Sequence, residues 1–288
     1  MKDLASIHHP ISHLFDYPET KVDWDAYRLS NEQIEHFHEY GYVSNIKLLA
    51  TEQIQLLKEE MEEIMDPDHE GNDLFYEFHS NESVDKDAVL FHSLGHWRIT
   101  KGFHDVLWNP AFLMAAHQLL GDRPVRFWHD QLFYKPANHG GVVAWHQDYS
   151  YWTRTVAMQH LTCWTGLDDA TTQNGCLHYI PKSHQWGLLN APELAGNMDG
   201  ILDYLSPEQK AEFQPVPIEL KAGYATFHHP LLVHGSYENA SDSPRRAFVL
   251  NVFAEGTVSN TNEELLKGVP PIKKGKKMEG KFFPLLYP

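Results

Sequence analysis

The chain has 288 residues, 42% of them hydrophobic and 22% charged, which is ample for a buried core and compatible with one large domain. Against 39 Asp and Glu stand 23 Lys and Arg, a formal charge of −16, which argues against a nucleic-acid or anionic-membrane surface and for a small-molecule partner. No apolar run of about 18 residues occurs to enter a membrane, and the N-terminus lacks the apolar core of a secretion signal. Two cysteines, Cys163 and Cys176, are too few for a disulfide framework, so both read as small buried hydrophobes in a cytoplasmic protein.

In chain order, residues 1–29 form a polar N-terminal arm. A flank with helices follows over 30–120. Ser30 and Gln33 make a capping box for a helix over about 31–40 that stops at Gly41. Tyr42-Val43 reads as a strand, and Thr51 opens a longer helix on which Ile54, Leu57, Met61 and Ile64 recur at helical spacing until Pro67. His36 and His38, two apart on the first helix, face different ways and do not share a metal. Residues 66–87 are acidic and rich in turn formers, with a short strand within Leu74–Phe78. Trp97–Lys101 reads as a strand, and Pro110–Leu120 as an apolar helix stopped at Gly121.

From 121 to 255 the pattern becomes β-rich. Val125–Trp128, Gln131–Tyr134, Leu161–Leu167, Cys176–Ile180, Ile218–Leu220, Tyr224–Phe227 and Ala247–Phe253 are short strands separated by turn signals, and Asn174-Gly175 resembles a tight hairpin turn. Many short strands without alternating helices indicate an antiparallel barrel or jelly roll. An insertion over 187–215 interrupts them, with Ser206-Pro207-Glu208-Gln209 opening a helix near 207. In the 256–288 tail, lysines 273, 274, 276, 277 and 281 read as a solvated loop and Phe282–Leu286 as apolar residues docked on the body.

The chemistry concentrates at His146-Gln147-Asp148 and His234. In an extended strand, residues two apart share a face with Cα atoms about 6.5–7 Å apart, a chelating spacing. One imidazole, one carboxylate and a second imidazole from a distant strand compose the 2-His-1-carboxylate triad that holds Fe(II) on one face and leaves other positions open. The bland alternative is a hydrogen-bonded core pair of His146 and Asp148. Arg245, at the entrance to a strand beyond His234, carries a planar fork suited to a carboxylate. Its neighbour Arg246 should point the other way. His228 and His229 read as positioning the loop that carries His234, and His178 and His184 as structural.

Over roughly 30–255 the chain resembles the phytanoyl-CoA dioxygenase family of Fe(II)- and 2-oxoglutarate-dependent oxygenases. The resemblance is carried by the helix-Gly41-Tyr42 opening, Ile99-Thr100-Lys101, Phe133-Tyr134-Lys135-Pro136, His146-Gln147-Asp148, Trp164, Asn174–Leu177, Pro181–His184, Phe227–Ser236 and Arg245-Arg246-Ala247. It implies a mainly β fold with flanking helices, a double-stranded β-helix (jelly roll, cupin-like) with iron at its mouth. By resemblance, His146, Asp148 and His234 ligate Fe(II), 2-oxoglutarate chelates the same ion, and Arg245 with the Ser236 hydroxyl holds its far carboxylate. Lys101, Trp164 and Gln131 match positions lining the cosubstrate pocket, although an apolar residue is the commoner choice where Gln131 stands. The implied reaction consumes O2 and 2-oxoglutarate, yields succinate and CO2, and hydroxylates a small molecule. Related halogenating enzymes carry a small residue in place of Asp148, so its presence favours hydroxylation. The alternatives are a cupin-like metal enzyme without 2-oxoglutarate and a non-catalytic binding protein. Neither substrate nor oligomeric state is written in the sequence.

Overall fold

The computed structural model describes residues 2–288 apart from 84, 195 and 196, so one residue of the acidic segment and two of the insertion lie outside the description. Fourteen strands are present among the described residues: β1 Tyr42–Lys47, β2 Glu77–His79, β3 Phe91–Leu94, β4 Val125–Lys135, β5 Val143–His146, β6 Thr155–Val156, β7 His160–Gly166, β8 Leu177–Tyr179, β9 Val216–Ile218, β10 Tyr224–His228, β11 His234–Ser236, β12 Arg245–Ala254, β13 Val258–Ser259 and β14 Leu285–Tyr287. They form an antiparallel large sheet in the order β1-β10-β7-β12-β4-β3-β2, with β14 also on β4, a small sheet β5-β11-β8-β9, and the ribbon β13-β6. The helices are α1 Lys21–Asp25, α2 Asn31–Tyr40, α3 Thr51–Ile64, α4 Lys101–Val106, α5 Pro110–Leu119, α6 Tyr149–Trp152 and α7 Pro207–Glu212. This is a double-stranded β-helix with helices against the large sheet. Among the described residues no helix is long and apolar enough to cross a membrane.

Alternation along the large sheet separates core from cavity. On β12, Phe248, Leu250 and Val252 join the cluster that includes Leu57, Met61, Phe103 and Phe112 from the helices. Arg245 and Val249, on the opposite face, line a cavity between the sheets. On β7, Leu161 and Cys163 face the helices while Thr162 and Trp164 face the cavity. Burying a side chain such as Phe127 or Phe248 completely contributes about 1.5–3 kcal/mol, so the helical layer anchors the wall on which the site is built.

The capping boxes at Ser30/Gln33 and Ser206/Gln209 are both formed. The terminal apolar residues are docked: Phe283 and Leu286 are buried, and β14 pairs with β4. Three expectations change. Val125–Trp128 and Gln131–Tyr134 are one strand, β4, whose register against β12 shifts between His129 and Phe127. That bulge lets Phe127 join the helical core while His129 and Gln131 face inward. Trp97–Lys101 is not a strand. Its Gly95 and Trp97 N–H groups donate to the Asp130 carboxylate at 2.7 Å, which bends the chain into a 3-10 turn, and Glu60 accepts from Gly102 and Phe103 at the start of α4. Asn174-Gly175 is a tight turn with Gly175 at φ +79°, but it does not join a hairpin. It passes the chain from β7 in the large sheet to β8 in the small one.

A buried carboxylate on α4 ties down the middle of the arm. Asp105 accepts from Ile11 N at 2.8 Å, Ser12 N at 2.7 Å and Ser12 Oγ at 2.5 Å, and it pairs with His104. Burial would raise the Asp105 carboxyl, but His104, Ser12 and the backbone bonds outweigh it and leave it below its usual value. A carboxyl held low in the folded state stabilises above its unfolded value, and the contribution is lost as pH falls through the folded value. Asp105→Asn should therefore cost about 1–3 kcal/mol in urea denaturation at neutral pH, speed proteolytic cleavage within residues 2–20, and lose its disadvantage progressively as pH falls from about 4 through the lower folded-state value. An unchanged denaturation midpoint at neutral pH would contradict this account of the arm.

Candidate metal centre and anion pocket

β11 lies between β5 and β8, and His234 is the register partner of His146. The two ring centroids are 4.1 Å apart. Each Nδ1 lies against a carbonyl two residues back on its own chain, His146 against Ala144 O at 2.7 Å and His234 against Leu232 O at 2.9 Å. A carbonyl only accepts, so both Nδ1 atoms carry the proton and both Nε2 atoms present a lone pair. Gly235 between His234 and Ser236 permits this packing, since a Cβ there would lie 2.9 Å from Met198 Cε and 3.1 Å from the Val143 carbonyl oxygen.

Asp148 completes the group, though not by strand alternation. β5 ends at His146, and Asp148 has helical angles, φ −56° and ψ −46°, at the entry to α6. The buried Gln147 side chain fixes this turn. Its amide donates to Gly187 O at 2.9 Å and Leu231 O at 2.8 Å and accepts from Leu189 N at 2.8 Å. The turn brings Asp148 Oδ1 to 3.5 Å from His146 Nε2 and 3.6 Å from His234 Nε2. One donor atom from each of the three residues lies within 4.8 Å of the others, a set able to hold a divalent ion on one face.

The second carboxylate oxygen is otherwise engaged. Oδ2 accepts from Thr162 Oγ1 at 2.6 Å and from His228 Nε2 at 3.1 Å, and Tyr179 OH lies 2.9 Å from His228 Nδ1. Burial would raise the Asp148 carboxyl, but His234, His146 and His228 outweigh it and hold it well below the usual range. His229 behaves as expected, with Nδ1 accepting from Leu231 N within the loop. His228 does not: it turns inward from β10 to the carboxylate. Thr162 went unanticipated and His228 was expected in another role, and the signal for both is the inward alternation of β7 and β10.

Deeper in the cavity, Arg245 is 2% exposed. Its Nη2 lies 3.4 Å from Ser236 Oγ and its guanidinium carbon 5.4 Å from the Trp164 ring centre, while Nε and Nη1 are buried without any partner. Arg246 points away, to Asp168 and Glu62. Directly across from Arg245 stands Lys135, fully buried and also unanticipated. Its Nζ donates to Ser236 Oγ at 2.6 Å and to the carbonyls of Ser236 and Tyr237. Burial lowers Arg245 to about 10 and Lys135 well below its usual value, with Arg245 adding to the latter. Unpartnered guanidinium N–H groups in a buried pocket fit a carboxylate-bearing ligand.

Trp164, Ser236 and Gln131 line this cavity, with Gln131 Oε1 3.4 Å from Asn251 Nδ2. Lys101 does not line it. It is exposed at the first position of α4, because Glu60 ties that helix start to α3. Towards solvent the cavity shares His146, Asp148 and Gln131 with a second cleft walled by Trp128, Tyr151 and Trp152. Glu82 from the acidic segment and Leu194 from the insertion line both openings. Cys163 and Cys176 are buried free thiols, as expected.

The profile of the phytanoyl-CoA dioxygenase (PhyH) family matches residues 37–247. A phytanoyl-CoA dioxygenase from Arabidopsis thaliana is 29% identical over 256 residues, covering 78% of this chain and 88% of that protein. A methylphosphonate hydroxylase from Gimesia maris is 28% identical, covering 79% and 83%. Among solved structures, the epimerase SnoN in complex with Fe3+, alpha ketoglutarate and nogalamycin RO superposes with a TM-score of 0.71 at 21% identity, over 88% of this chain and 97% of that one.

A buried guanidinium with unpartnered N–H groups is a stability liability. Arg245→Met should raise the unfolding free energy of the ligand-free protein by about 1–3 kcal/mol, read by urea denaturation. A loss of stability would mean that the guanidinium is compensated in a way these contacts do not reveal.

Proposed function

The chain belongs to the phytanoyl-CoA dioxygenase family, and on that footing we propose that His146, Asp148 and His234 hold its iron while Arg245 and Ser236 hold the far carboxylate of 2-oxoglutarate. The protein is a non-haem iron, 2-oxoglutarate-dependent oxygenase that hydroxylates small molecules. Two features support the residue assignment. Both imidazoles have their Nδ1 protons committed to backbone carbonyls, so the Nε2 lone pairs are free to ligate beside an ionised carboxylate. Arg245 keeps two unpartnered nitrogens in a cavity continuous with that triad. Iron, 2-oxoglutarate and O2 together supply the oxidising power, with succinate and CO2 as co-products.

What the chain's own residues contribute is placement. Arg245 and Ser236 fix one end of the diacid, and Trp164 closes the wall beside it. Gln131 and the aromatic cleft of Trp128, Tyr151 and Trp152 provide the substrate side. The acidic segment and the insertion select the substrate, each through a residue at the opening, as loops on a rigid scaffold do. The whole chain works as one catalytic domain around this cavity. Its substrate need not be a CoA ester, since a relative at 28% identity is named a methylphosphonate hydroxylase.

The deciding experiment is anaerobic reconstitution with Fe(II) and 2-oxoglutarate. A visible charge-transfer absorption should form in the wild-type protein and be absent in Asp148→Ala. In Arg245→Met it should require at least about tenfold more 2-oxoglutarate, a loss of about 1.4 kcal/mol. If the wild-type protein and Arg245→Met both turn over substrate equally well without added 2-oxoglutarate, the enzyme is a cupin-like metal enzyme independent of 2-oxoglutarate. If no succinate forms across a broad substrate panel, it is a binding protein.

A further inference from the structure

Asp148 offers its two carboxylate oxygens to different neighbours. Oδ1 faces the Nε2 atoms of His146 and His234 at 3.5 and 3.6 Å. Oδ2 faces away from them and accepts from Thr162 Oγ1 on β7 and His228 Nε2 on β10, strands of the opposite sheet. Both donors are themselves fixed. Thr162 is 3% exposed and sits on a central strand paired on both sides. His228 is 1% exposed, and its other nitrogen meets Tyr179 OH, whose hydroxyl lies 3.2 Å from Thr226 Oγ1, which in turn donates to Val43 O.

Resting on the iron reading above, we propose that Thr162 and His228 are positioning residues that reserve Asp148 as a one-oxygen ligand. A carboxylate can serve a metal through one oxygen or through both. Here the second oxygen holds two donated hydrogen bonds to an ionised acceptor, the stronger class of such bonds. Turning Asp148 to offer both oxygens would break them and strand two buried donors. The large sheet thereby keeps one coordination position from being filled by the protein's own side chain, a position the facial triad must leave open. The bonds also explain how a carboxylate in a turn outside regular strand geometry is aimed as firmly as the two imidazoles.

The test uses the full chain loaded with Co(II), whose visible bands report ligand number and geometry without turnover. Thr162→Val and His228→Leu should each weaken Co(II) binding by about tenfold to a hundredfold and alter the intensity of those bands. His228→Gln, which keeps an N–H at comparable reach, should recover most of the loss. Thermal midpoints of the metal-free proteins separate this from unfolding, and Thr162→Val, nearly isosteric, stands if the histidine variants fail to fold. Folded variants with the wild-type affinity and spectrum overturn the inference, including any that lose only thermal stability. A wild-type protein that binds no Co(II), or binds it equally in Asp148→Ala, overturns the iron reading and this inference with it.

Discussion

The pairing of His146 with His234 across β5 and β11 is the constraint on which the site depends. A slip of one residue in that register would turn one imidazole to the outer face of the small sheet, because side chains alternate with a period of two. Several contacts hold it. β11 is flanked on both sides, its centre is a glycine that lets β5 and the insertion approach closely, and Val233 N donates to Ser183 Oγ at 2.8 Å just before the strand begins. The large sheet then supplies what the small one lacks: the donors that aim Asp148 and the unpartnered guanidinium of Arg245.

Such a cavity is assembled at a cost to stability. Arg245 and Lys135 are buried side by side, and burial lowers the pKa of both. Lys135 has its protons satisfied by Ser236 and Tyr237, whereas Arg245 has most of its fork unsatisfied. Their adjacency follows from register, as they stand directly opposite on β4 and β12, the most extensively paired strands of the molecule. The helical layer behind those strands, with Phe112 stacked near Phe227 and Trp97 against Phe127, provides the apolar burial that offsets the strain of the polar face.

Much of this was legible in the sequence because it is encoded locally. Ser30 and Gln33 announce a helix by a reciprocal hydrogen bond three residues apart, and Arg245 is separated from Arg246 by strand alternation alone. The histidines and the carboxylate of the triad were also legible as residue types. What escaped depends on contacts between segments distant in the chain. Lys135 looks like the end of a strand before a proline until β12 is laid beside it. Thr162 and His228 acquire meaning only when the two sheets face each other across Asp148. The strand expected at Trp97–Lys101 fails because Asp130, far along the chain, collects the N–H groups of Gly95 and Trp97. Asp148 itself sits correctly for a reason the tripeptide does not contain, namely the grip of Gln147 on two separate loops.

That grip bears on how substrate recognition and chemistry are joined. The residues around the triad belong mostly to strands, whereas Leu194 arrives from the insertion and Glu82 from the acidic segment. The insertion is nevertheless bonded to the triad's own strand: Ala144 N donates to Leu194 O at 2.9 Å, Trp145 N to Met198 O at 3.2 Å, and Tyr151 OH to Pro192 O. The loop that touches the opening is therefore laid along β5 and the turn that carries Asp148. A displacement of that loop large enough to admit a bulkier molecule must be absorbed by those backbone bonds or transmitted to His146 and Asp148. On the proposed assignment, substrate range is limited by the loop's attachment to the strand that carries His146 as much as by the shape of the opening.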